Sequence, residues 1–418
     1  MAKIKKIVGR QVFDSRGNPT VEAEVFLVNK VKASSIVPSG ASTGAFEAHE
    51  LRDNNKNYFL GKSVLNAVKN INTIINKNLK NLNSGNQKKI DQILLKLDGT
   101  ENKKKLGANA LLAVSLAIFK AEAISQKKEL YQHLGNKFLL PRPLMNIING
   151  GAHADNSLRI QEFMIRPDSA KNFMDAIEKN YIVIQNLKKI LHSNNLSTNV
   201  GDEGGFAPLI NSNEEALELI IEAIEKSKLK PGLDINICLD VAANELINKE
   251  GHYSLNSSNF ISVDESINYY KDLISKYPIK SIEDPFAEDD WNAWSRLTKE
   301  IGQKVQIVGD DIFVTNLKRL KKGIKEKSAN SILIKLNQIG TLTETLDVIN
   351  FAKKNNFSTI ISHRSGDSED TFIADLAVAT QSNQIKTGSL ARSERVSKYN
   401  RLLRIEEQLG KSSKIARI

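Results

Sequence analysis

Two spacings of apolar residues alternate along the chain. IVGRQVF (7–13) and TVEAEVFLV (20–28) are strand-like runs, and DSRGNP (14–19) between them carries Gly17 and Pro19, so the chain opens with two strands joined by a turn. The period then lengthens. Val64, Ala67, Val68, Ile71 and Ile75 fall on one helical face, and Ile90, Ile93, Leu94 and Leu97 on another. ANALLAVSLAIFKAEA (108–123) predicts a buried helix. Asn109, Ser115, Lys120 and Glu122 interrupt it, so it reads as too short and too polar to span a bilayer. LLPRPLMN (139–146), with its two prolines, reads as a crossing between two domains.

Beyond that crossing, strand and helix patterns repeat. INICLDVA (235–242), IKSIEDP (279–285), VQIVGDD (305–311), SILIKLN (331–337), STIISHRSG (358–366) and QIKTG (384–388) are the strands, with amphipathic stretches such as TLDVINFAKKNN (345–356) between them. Most are one βα unit apart. Six such units, with further strand signals before them, predict a closed parallel α/β barrel preceded by an α+β module. A doubly wound open sheet is the runner-up, but no GxGxxG opens its first unit.

Each strand tip carries an ionisable residue: Asp240, Glu283, Asp310, Lys335, His363 and Lys386. In a barrel these positions face the C-terminal mouth, where active sites form. One acid at a strand end is ordinarily a turn or cap residue. Three of them from three strands would repel one another and lose hydration, and a hard divalent cation removes both costs. All-oxygen ligands favour Mg²⁺. One cysteine and six scattered histidines give zinc no ligand spacing.

Lys335 sits inside the apolar run SILIKLNQ (331–338). It reads either as a lysine that reaches out to the strand end or pairs with an acid, or as a general base. Burial and neighbouring positive charge predict a lowered pKa for it. Arg364 and Ser365 in SHRSG can grip a phosphate, and Lys386 adds another cation, which together suit an anionic substrate. NGGAHAD (149–155), IQEFM (160–164) and VGDEGGFAP (200–208) read as loops; Glu203 is by itself an acidic turn residue and, opposite the lysine, a general acid. SGASTG (39–44) lacks the GK[ST] ending of a nucleotide loop and reads as a mobile lid.

Composition changes this picture little. The 418 residues are 40% hydrophobic and 26% charged, with a single cysteine, Cys238, which excludes an intramolecular disulfide and fits a reducing cytoplasm. The net charge of +11 is spread through segments such as KNINTIINKNLKNLNSGNQKK (69–89) without arginine clusters, as on a solvated surface rather than a nucleic-acid face.

DSRGNPTVE, SGASTG, INGGAHADN, IQEFMI, VGDEGGFAP, LDVAANE, SIEDPFAEDDW, ILIKLNQIGTLTET, SHRSGDSEDTFIADLAV and YNRLLRIEE, in this order, resemble the blocks of bacterial enolases over nearly the whole chain. The resemblance implies an N-terminal α+β cap over residues 1–133 and, over 139–418, a TIM-like α/β barrel whose first strands break the regular order. It implies the reversible dehydration of 2-phospho-D-glycerate to phosphoenolpyruvate. Asp240, Glu283 and Asp310 would hold one Mg²⁺, and Ser42 on the lid would help hold a second with the substrate. Lys335 would remove the C2 proton, and Glu203, with Glu162 nearby, would protonate the C3 hydroxyl. Gln161, His153, His363, Arg364, Ser365, Lys386 and Ser42 would contact substrate. The family further suggests a cytoplasmic homodimer without membrane insertion, and its bacterial members are reported at the cell surface or secreted and in RNA-degradation assemblies. Another lyase or racemase of the same superfamily is the rival reading; the SHRSG grip and the lid argue against it. Asp155 in HAD, Asn244 and Leu246 in DVAANEL, and Leu209 depart from common family forms, and none of them is an assigned residue.

Overall fold

The computed structural model describes residues 2–40, 44–256 and 259–418. The chain begins with an antiparallel sheet of β1 (Ile4–Phe13), β2 (Pro19–Leu27) and β3 (Lys32–Ile36), in that order. Helices pack on it, chief among them Ala108–Ser125. That helix runs further than its sequence pattern predicts, and by length and composition it could cross a membrane. It is 83% buried inside the protein, against β2 and β3, which marks it as a core helix.

Eight strands then close a barrel: β4 (Arg142–Asn149), β5 (Glu162–Arg166), β6 (Asn236–Asp240), β7 (Ile279–Glu283), β8 (Gln306–Gly309), β9 (Ser331–Ile334), β10 (Ser358–Ser362) and β11 (Gln384–Lys386). Two expectations are corrected here. The two-proline segment is not a crossing; most of it forms β4, buried along its whole length. Arg142 donates its N–H to Asn383 on the β11 side, so the N–H that Pro143 lacks falls toward β5, where pairing begins only at Met145. IQEFM is not a loop but leads into β5, which runs antiparallel to both β4 and β6, so the barrel is mixed rather than fully parallel.

Side chains inside the barrel stack in layers two residues apart. Leu144, Met164, Cys238, Val308, Leu333 and Ile360 form one buried apolar layer. Burial pushes the Cys238 thiol up to about 12, so it is an inert packing group. Two residues toward the N-terminal face, Arg166 donates to Gln384, which donates to Gln306, which donates to Ser331 and Ser358, and this polar plug closes the bottom. Two residues toward the mouth come Asp240, Asp310, Lys335 and, because β5 runs the other way, its first residue Glu162. Serine, asparagine, aspartate and threonine caps start most of the outer helices, with a full capping box at Ser262 and Glu265.

The cap is fastened to the barrel through Asp370. Its carboxylate meets Lys120 at 2.5 Å and accepts from Ser35 Oγ at 2.8 Å and from the Ile36 N–H at 3.2 Å. Burial would raise the Asp370 pKa, but Lys120 more than offsets it and holds the value below that of ordinary aspartate. Stability from this pair is therefore present above the unfolded value of about 3.9 and is lost as pH falls through the lower folded one. Asp370→Ala should cost about 3 kcal/mol, read as a lowered urea midpoint at neutral pH, with the difference shrinking as pH falls through the lowered folded value.

Candidate active site

A small cavity of about 30 Å³ opens at the C-terminal mouth. Its wall includes His153, Gln161, Glu162, Glu203, Asp240 and Asp310 on one arc, and Lys335, His363, Arg364, Ser365 and Lys386 on the other. Glu283, beside Asp240 in the strand register, is reached by Lys386. The residues expected at the site thus converge, apart from Ser42, which lies outside the described residues.

Lys386, at the end of β11, is the hub. Its Nζ stands 2.7 Å from Asp240 Oδ2, 2.9 Å from Glu283 Oε1 and 3.2 Å from Glu162 Oε1, all of them buried. Burial works against the ammonium, yet Asp240, Glu162 and Glu283 raise its pKa well above the ordinary value. Glu162 and Glu283 are themselves pushed up, first by burial and then by neighbouring carboxylates. The pocket holds more negative charge than one ammonium balances. Glu162 Oε2 and Gln161 Oε1 are in addition buried acceptors with no hydrogen-bond donor among the described residues. Acidic groups crowded together in this way could hold a metal ion.

Lys335 stands just past β9, which ends at Ile334, earlier than the apolar run suggested. Its N–H donates to Thr315 Oγ1 at 2.9 Å, and its Nζ meets Asp310 Oδ2 at 2.5 Å. The expected lowering of its pKa is corrected. Burial does lower it, but Asp310 overrides burial and the net direction is upward. Asp310 thus holds the amine in its charged form.

Asp310 is held in turn by Gln338 Nε2 at 2.9 Å, and its N–H donates to Asp284 at 2.9 Å. Asp284 also accepts from the Asp311 N–H at 2.9 Å. Asp284, Asp310 and Asp311 form one tight cluster of possible metal-holding oxygens; His153, which offers a ring nitrogen, forms another with Glu162 and Glu203. Asp284 and Asp311 escaped the sequence reading, although the doubled acids in IEDP and VGDD were the signal.

Glu203 reaches the mouth on a loop that docks along β4, with Phe206 bridging Ile148 and Ser389 N–H donating to the Glu203 carbonyl at 2.9 Å. The turn needs its glycines. Gly204 has φ +84°, and a Cβ at Gly205 would collide with Asn146 and Asn149. Glu203 Oε2 lies 3.1 Å from His363 Nε2, and Oε1 lies 3.9 Å from His153 Nδ1. Burial would raise the Glu203 pKa, but His363 and His153 turn it well below the ordinary range. Glu162 moves the opposite way, so the two carboxyls are split in proton affinity. In strand order β4 and β5 stand across the barrel from β8 and β9, so the Glu162–Glu203 pair faces Lys335 across the cavity.

Arg364 follows β10 and is gripped bidentately by Glu47 of the cap, at 2.9 and 3.2 Å. Burial lowers its pKa, but Glu47 more than restores it. A carboxylate from the cap thus occupies the fork that would hold an anionic substrate group.

Residues 4–134 match the family described as the enolase N-terminal domain, and residues 137–417 the enolase C-terminal TIM barrel domain. A curated relative named enolase, from Pelagibacter ubique (strain HTCC1062), is 63% identical over 420 residues, covering all of both chains.

Proposed function

Because this chain belongs to the enolase family, and so is a lyase of the phosphopyruvate hydratase type, we propose that Lys335 removes the C2 proton of 2-phospho-D-glycerate and that Glu203 delivers to the departing C3 hydroxyl a proton that the neighbouring Glu162, with its raised pKa, holds at rest. The observation that carries this reading is the placement of an amine on one side of a single buried cavity and a split pair of carboxyls on the other. Breaking the C2–H bond leaves its electron pair on C2, beside the substrate carboxylate, and that pair forms the double bond as the C3–O bond breaks. The proton taken by Lys335 and the hydroxide leaving as water then balance the step.

Members of this family are metal-dependent, and the acidic residues present fit that chemistry. We assign Asp240, Glu283 and Asp310 as the ligands of Mg²⁺, with Ser42 assigned to a second ion that enters with substrate. When bound, these ions supply positive charge against the doubly charged carboxylate that forms as C2 loses its proton. Lys386, already among Asp240 and Glu283, adds a fixed charge beside the same group. Arg364 and Ser365 take the phosphate, with Glu47 giving way to it. Gln161 and His153 line the opposite wall and orient the hydroxyl end.

The test is direct. Purified protein given 2-phospho-D-glycerate and Mg²⁺ should show the rising ultraviolet absorbance of the enol product. Stripping divalent cations with a chelator should abolish the rise, and adding Mg²⁺ back should restore it. Full turnover in excess chelator would remove the metal from this reading.

A further inference from the structure

One fully buried charge is unused by the steps above. Arg395 lies in the first turn of the helix Ser393–Leu409, with its side chain 0% exposed. Its Nη1 stands 2.6 Å from His363 Nδ1 and donates to the Arg364 carbonyl at 2.6 Å. Its Nη2 donates to the Asp202 carbonyl at 3.1 Å and to the Ser365 carbonyl at 2.5 Å. One guanidinium therefore ties the loop that carries Glu203 to the loop that carries His363, Arg364 and Ser365.

The chemistry of that contact is one-sided. A guanidinium has donors and no acceptor, so His363 Nδ1 must accept. Burial holds the His363 pKa down at about 4, and the ring is a neutral imidazole. Its single proton then sits on Nε2. Nε2 stands 3.1 Å from Glu203 Oε2, within hydrogen-bonding distance although off the straight line of a hydrogen bond. In the other tautomer a lone pair would face the carboxylate and push it away.

We propose that Arg395 is a positioning residue for the proton transfer at C3: it locks His363 in the Nε2–H tautomer and, through that ring, aims the Glu203 carboxyl at the leaving hydroxyl. This rests on the assignment of Glu203 to C3. The residue touches no substrate; it acts on one half of the reaction, because Lys335 on the far side of the cavity makes no contact with it.

The two halves can be read separately in the Mg²⁺-loaded enzyme. Deuterium uptake at C2 of 2-phospho-D-glycerate, followed by proton NMR, reports Lys335. Appearance of the enol absorbance reports the whole dehydration. Arg395→Gln should lower kcat for dehydration about 100-fold, with C2 exchange and KM each kept within about threefold. Arg395→Lys, which still has a donor for Nδ1, should recover part of the kcat. Equal loss of exchange and dehydration, or a raised KM with kcat kept, would reduce Arg395 to a brace for the phosphate loop and overturn the proposal.

A measurement on the unaltered protein stands apart from folding of the variants. Nitrogen-15 spectra of the imidazole rings should show His363 protonated at Nε2 and bare at Nδ1; a proton on Nδ1 sinks the idea. Glu203→Gln separates the two layers of the argument. If Glu203 serves C3, that variant exchanges C2 and fails to dehydrate. Normal dehydration by Glu203→Gln would remove the assignment underneath, whatever Arg395→Gln does.

Discussion

Lys335→Ala is expected to lose turnover by about a thousandfold or more while binding phosphoenolpyruvate within a few-fold of the unaltered protein. A thousandfold corresponds to about 4 kcal/mol at the transition state. The size follows from the surroundings. Lys386, the other buried amine at the mouth, is committed to Asp240, Glu283 and Glu162, so no substitute base stands on that wall among the described residues. Binding should survive because the phosphate and carboxylate contacts assigned to Arg364, Ser365 and Lys386 stay in place. C2 deuterium exchange should vanish along with the enol absorbance. Exchange that persists in Lys335→Ala would mean that another group takes the proton. The variant also leaves Asp310 without its 2.5 Å partner, so a lowered melting temperature in chelator, recovered with Mg²⁺, belongs to the same expectation.

Lys386→Met should separate metal affinity from catalysis. The ammonium pairs with three buried carboxylates, and removing one partner of such a set costs about 3–5 kcal/mol. Chelator-treated Lys386→Met should therefore melt well below the unaltered protein. A divalent cation faces no competing ammonium in the variant, so its calorimetric affinity should rise about tenfold, and saturating Mg²⁺ should restore the melting temperature. Turnover should still fall about a thousandfold, because the fixed charge beside the substrate carboxylate is gone. Weaker cation binding in the variant would show that Lys386 organises the carboxylates rather than competing for them.

The pairings at the mouth also explain what could be read in advance and what could not. Asp240, Asp310, Lys335 and Lys386 were legible because a strand has a period of two, and an ionisable residue at the end of an apolar run must leave the core at the barrel mouth. Glu162 was harder. It opens β5, and only the reversed direction of that strand puts a first residue where the other strands put their last. β4 was concealed by Pro141 and Pro143, which are harmless because the missing Pro143 N–H lies where no pairing with β5 has begun. Arg395 was hidden altogether. SERVSKYNRLLRIEEQL has the charge pattern of a solvated helix, and nothing local says that its third residue is sealed inside the protein.

The sequence by itself determined the alternation of elements, the charged residues at the strand tips and, through its long matching blocks, the family. Tertiary structure alone decided which charge answers which. Lys386 and Asp240 are 146 residues apart along the chain, Arg395 and His363 are 32 apart, and each pair meets within 3 Å. Electrostatic balance depends on separation in space and on the water excluded between groups, and neither quantity has a trace in local residue order. The same dependence raised the Lys335 pKa where burial alone predicted a fall.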